Sequence, residues 1–108
     1  MERPVRMESR ERTNGLMTIE ELRARIDRID SGIVRLYEER MEAARLIGRY
    51  KREHNLPVTD PEREEQLLSR VSRETGAENR EGIRELFRLL MAHSRARQET
   101  DGKAGERG

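Results

Sequence analysis

From Thr18 onward, apolar side chains return at alternating steps of four and three: Leu22, Ile26, Ile29, Ile33, Leu36, then Ala43, Ile47 and Tyr50. Arg40 stands on the same line. This spacing is a heptad-like seam along one face of an α-helix. Thr18 and Glu21 make the S/T-x-x-E pattern of a capping box at its start, and no proline follows before Pro57. The pattern predicts one helix from about 19 to 53, which at the α-helical rise would be roughly 50 Å long. A compact domain of this length measures about 26 Å across. Two short helices of the same chain cannot cover such a seam, so it requires a second long helix. The expectation is an intertwined helical homodimer.

"HNLPVTDPERE" breaks the helix and restarts it. Asp60 is a natural N-cap with Pro61 at the first helical position. The second helix is expected from about 61 to 75, with Leu67, Leu68 and Val71 inward and Gly76 as its C-cap. Asn79 can cap a third, from about 80 to 99, with Ile83, Leu86, Phe87, Leu90 and Met91 on its apolar face. No alternating strand pattern and no Gly-rich phosphate loop occurs. The expected fold class is all-α, with one long and two shorter helices per chain. Residues 1–16 are polar and aperiodic and read as a disordered extension, 17–99 as the folded domain, and 100–108 as a flexible tail.

Composition narrows what such helices can do. Only 32% of residues are apolar and 42% are charged, so the core of one chain would be thin. The charges nearly cancel, at a net +1, which gives no global drive toward nucleic acid or an anionic membrane. Arginines and glutamates also alternate on the exposed faces instead of segregating, against a nucleic-acid binder. No apolar run approaches membrane-spanning length, and "MERPVRMESRERTNG" lacks the apolar stretch of a secretory signal. Cysteine is absent, and His54 and His93 are isolated, so no metal-ligand spacing appears. These features predict a cytoplasmic protein without a metal or cofactor.

Each apolar stripe turns polar at one place. On the first helix the interruption is Arg40, and Lys51 follows one residue past Tyr50. On the second, stepping back from Val71 through Leu67 reaches Arg63 and Glu64, with Asp60 at the cap. On the third, the stripe continues to Ser94 and then to Arg97 or Gln98. Taken singly, each has an ordinary structural explanation: a snorkelling arginine, an N-cap, a solvated face, a charge favoured by the helix dipole. Arg23, beside the seam, reads alone as a surface charge. Brought together where the stripes meet, the same residues would enclose fixed cations, one carboxylate and neutral hydrogen-bonding groups. Excess cationic charge in a pocket calls for an anion, and arginine forks suit carboxylates. No nucleophile–base pair accompanies them, so binding a small polyanion fits better than covalent catalysis.

The segments "LRARIDRIDSGIVRLYEERMEAARLIGRYK", "LPVTDPERE" and "LFRLLMAHSRARQ" resemble the all-helical chorismate mutases, small three-helix homodimers, over about 19 to 98. The resemblance implies the Claisen rearrangement of chorismate, a dicarboxylate, to prephenate, with no cofactor. By position it implies that Arg40 binds one substrate carboxylate, and that Arg23 reaches into the partner protomer's site to hold a carboxylate there. Lys51 and Gln98 would hydrogen-bond the ether oxygen, and Glu64 would take the ring C4 hydroxyl. Asp60, Arg63 and Ser94 would complete the wall. A mutase for 4-amino-4-deoxychorismate shares this pattern, and an amine at C4 would also suit Glu64. An isochorismate pyruvate lyase resembles the first helix, but Glu64 argues against it. From another class, a non-enzymatic dimeric adaptor would tolerate Arg40→Leu.

Overall fold

The computed structural model describes residues 17–107; the extension expected over 1–16 lies outside them. Three α-helices follow in order, α1 (Ile19–Glu53), α2 (Pro61–Glu74) and α3 (Arg80–Arg107), with a 3-10 turn at Ala77–Asn79 before the last. The described residues form no strand. The chain divides between Tyr37 and Glu38 into two compact units.

The first unit is the N-terminal half of α1. Its start is the reciprocal capping box: Thr18 N–H donates to Glu21 Oε1 at 2.9 Å, and Glu21 N–H to Thr18 Oγ1 at 3.1 Å. Two amides that the helix leaves unpaired are thereby satisfied. Ile26, Ile29, Ile33 and Leu36 of the seam are each between 50% and 59% exposed. An apolar line left this open is costly in water and unusual for a chain with so few apolar residues.

In the second unit, α2 and α3 bury Leu67, Leu68, Val71 and Met91 together, with Ile83 and Phe87 packed against them. Leu86, expected inward, is instead half-exposed. The C-terminal half of α1 corrects the seam as well. Met41, Ala44 and Gly48 are its buried residues, while Ala43, Ile47 and Tyr50 remain exposed. The cause is close approach to α3. A Cβ at Gly48 would lie 2.7 Å from both the Cα and the carbonyl oxygen of Gln98, a separation that real Cβ atoms do not tolerate. Gly48→Ala must therefore push α3 away at Gln98. A loss of about 1–3 kcal/mol is expected from such overpacking, read as a lower urea midpoint; an unchanged midpoint would contradict the close approach.

Two helix ends also differ from expectation. Asp60 does cap α2, accepting from Arg63 N–H at 3.2 Å, with Pro61 following. The other end closes on Thr75 instead of a left-handed Gly76. Thr75 is extended, and its hydroxyl donates to the Val71 carbonyl at 2.7 Å. Gly76, at φ −61°, opens the 3-10 turn. The third helix continues eight residues past the expected 99. The two glycines of this stretch, Gly102 and Gly105, cost only about 1 kcal/mol each, and Lys103, Ala104, Glu106 and Arg107 are good helix formers.

Candidate functional site

The site lies within the second unit. Arg40 and Lys51 are eleven positions apart on α1, three turns, so both point the same way, with Ala44 and Ile47 between them. The N-terminus of α2 adds Asp60, Arg63 and Glu64, and α3 adds Ser94 and Gln98 one turn apart. All seven line one cavity of about 410 Å³, a size suited to a small organic ligand. Arg23, the eighth candidate, is exposed on the N-terminal half of α1 and is not among the lining residues.

Arg40 is held by α3. Its Nη1 donates to the Leu90 carbonyl at 3.3 Å and, at short range, to Ser94 Oγ. The guanidinium carbon stands 6.0 Å from the centre of the Phe87 ring, the outer limit of a cation–π contact. One nitrogen is thus tied to the wall, and these two bonds leave the other N–H groups of the planar fork uncommitted. Burial, and then the neighbouring Arg63 cation, push the Arg40 guanidinium below its ordinary pKa. Arginine remains charged regardless, so the unfavourable field persists until an anion relieves it.

Lys51 is fixed by the way α1 ends. Asn55 adopts a positive φ of 57°, the left-handed conformation that asparagine tolerates at a helix terminus. Leu56 N–H then donates back to the Lys51 carbonyl at 2.8 Å, and Asn55 N–H to the Arg52 carbonyl at 3.3 Å. This paired closure folds the following turn over the helix end. The Val58 carbonyl thereby accepts from Lys51 Nζ at 2.7 Å. An ammonium has three donors, so two remain.

Gln98 is 8% exposed, and its Oε1 has no hydrogen-bond partner among the described residues. A buried amide left unpaired costs about 1–3 kcal/mol. Its position is set by Gly48, which admits the α3 backbone.

Sequence reasoning missed Arg95. It lines the cavity, and its Nη1 donates to Glu64 Oε2 in a short ion pair, the two side chains 35% and 27% exposed. Arg95 follows Met91 by four and precedes Gln98 by three, so the same periodicity that found Gln98 points to it. The cavity then carries four cations, Arg40, Lys51, Arg63 and Arg95, against two carboxylates, Asp60 and Glu64. Asp60 is also occupied with its own helix cap. An excess of two positive charges matches a dianion. Among the described residues no group of His, Cys, Asp and Glu has the arrangement to hold a metal ion, and no helix is long and apolar enough to cross a membrane.

The sequence also resembles known proteins. The sequence model of the family chorismate mutase type II matches residues 22–99. The chain is 33% identical over 81 residues to a chorismate mutase of Methanocaldococcus jannaschii, covering 72% of this chain and 81% of that protein. It is 46% identical over 55 residues to the bifunctional chorismate mutase/prephenate dehydratase of Aquifex aeolicus, covering 51% of this chain. To the T-protein of Haemophilus influenzae it is 30% identical over 86 residues, 78% of this chain. The matched segment spans only 15% of the Aquifex protein and 23% of the Haemophilus one. No solved structure matches significantly.

Proposed function

As the chain belongs to the type II chorismate mutase family, we propose that its cavity binds chorismate and rearranges it to prephenate. The observation that carries this reading is the cavity itself, whose lining holds two more cations than carboxylates. The substrate offers the complement, two carboxylates. Arg40 clamps one carboxylate with the N–H groups that α3 leaves free. Arg63 and Asp60 complete the wall at the start of α2, and Ser94 keeps the Arg40 fork in place. Glu64 receives the ring hydroxyl.

The reaction is unimolecular, so the protein has two tasks. It must hold a flexible molecule compact, with the two ends to be joined in contact. It must also stabilise negative charge that gathers on the ether oxygen as the C–O bond breaks. Lys51 and Gln98 donate there, the amide turning its Nε2 toward the oxygen. No residue is asked to take a proton or form a covalent bond, and Gln98 has none to lose at ordinary pH.

The half-exposed line Ile26, Ile29, Ile33 and Leu36 supports a homodimer, in which the same line of a second copy covers it. Arg23 of each protomer then enters its partner's cavity and holds the second carboxylate. Following chorismate with the purified protein, and identifying the product, tests the activity. Prephenate should form, and activity per protomer should fall on dilution as sedimentation shows the dimer separating. A folded protein that leaves chorismate untouched would sink the reading; an active monomer would sink only the role given to Arg23.

A further inference from the structure

The Glu64–Arg95 pair bears on which ring substituent the site accepts. Glu64 Oε2 is already taken by Arg95 Nη1, so a ring substituent at this carboxylate meets an ion pair and not a lone anion. Both side chains line the cavity and both are partly buried. We propose that Arg95 makes the site select a neutral hydroxyl over an ammonium at the ring position that Glu64 faces. The proposal rests on the reading of the cavity as a chorismate-type site.

A hydroxyl can give its one proton to the free oxygen of Glu64 without adding charge, while Arg95 keeps its bond to the other oxygen. An ammonium brings a full positive charge to the same place. An ammonium bonded to the free oxygen of Glu64 would stand roughly 5–7 Å from the Arg95 guanidinium, by ordinary hydrogen-bond lengths. Two cations so placed at a partly buried site repel enough to lower relative affinity on the order of 10- to 100-fold. Glu64 alone would do the opposite and attract the amine. Arg95 thus reverses the preference that Glu64 would have by itself. Its role is positioning and selection: it fixes one oxygen of Glu64 and cancels the charge an amine would need.

The test compares kcat/KM for chorismate with kcat/KM for its analogue carrying an amino group in place of the ring hydroxyl. The wild-type dimer should favour the hydroxyl. Arg95→Gln should move the ratio at least tenfold toward the amine, while Arg95→Lys, which keeps the charge, should hold it. Arg95→Met repeats the measurement should the glutamine variant prove unstable. An unshifted ratio in a variant that still makes prephenate overturns the role of Arg95 and leaves the mutase reading standing. So does a wild type that favours the amine, or a lysine variant that shifts as far as the glutamine one. A wild type that converts neither substrate overturns the mutase reading and this proposal with it.

Discussion

Lys51→Ala is expected to lower kcat on the order of 10²–10³-fold, the loss typical of removing one donor aimed at developing charge, with a much smaller change in KM. The ether oxygen of the bound substrate is neutral and a weak acceptor. As its bond to the ring breaks it gains negative charge, so an ammonium beside it gains most of its attraction in the transition state. Of the two donors assigned to that oxygen only Lys51 carries a full charge. Its hydrogen bond to the Val58 carbonyl, at 2.7 Å, holds the ammonium in place before the substrate arrives. Little reorganisation is then needed at the moment of reaction. Lys51→Arg is expected to recover only part of the rate, because a planar fork cannot replace a compact charge held by one carbonyl. Steady-state kinetics separate the possibilities. A variant with unchanged kcat and raised KM would show that Lys51 merely binds the ground state.

How much of this could be read from residue order depends on whether a feature is local. The capping box at Thr18 and Glu21, and Asp60 before Pro61, use residues within a turn of one another, and both form as expected. Arg40, Arg63, Glu64, Ser94 and Gln98 were legible because each interrupts or ends an apolar stripe, whereas Arg95, which also lines the cavity, was passed over. Features set by a neighbouring helix were not legible. Ala44 and Gly48 carry too little apolar surface to stand out beside Ile47 and Tyr50. Their smallness matters only because the α3 backbone comes within 2.7 Å of where a Cβ would be. The pairing of Glu64 with Arg95 joins residues 31 apart, and in a sequence with 42% charged residues no spacing rule singles out one such pair. Gly76 misled for a related reason. Thr75 closes α2 with its own hydroxyl, and the glycine is left to begin the next turn.

Arg40→Leu should abolish most activity and leave the fold equally or more stable. Its loss of kcat/KM is expected to be on the order of 10²–10³-fold, since truncating one partner of a desolvated charge pair costs about 2–5 kcal/mol. Stability should move the other way. The guanidinium is held in partial burial near the Arg63 cation, and both depress its pKa. Among the described residues no carboxylate is bonded to it: its hydrogen bonds run to Ser94 Oγ and the Leu90 carbonyl. Neither acceptor is stranded by the change. The Leu90 carbonyl already takes the helical N–H four residues on, and the Ser94 hydroxyl can turn back to the same oxygen. A leucine can instead pack toward Phe87, on the side where the guanidinium now stands. Replacing a buried ionic group by an apolar one of similar volume is often neutral or favourable by ~1–4 kcal/mol. Urea midpoints measured without ligand should therefore rise or hold, and the substrate should no longer raise them. If Arg40→Leu instead unfolds the domain, the arginine is structural. If it holds the midpoint and keeps its turnover, the carboxylate clamp lies elsewhere. A stable, inactive variant would place Arg40 in the stripe for binding, where leucine would serve the fold better.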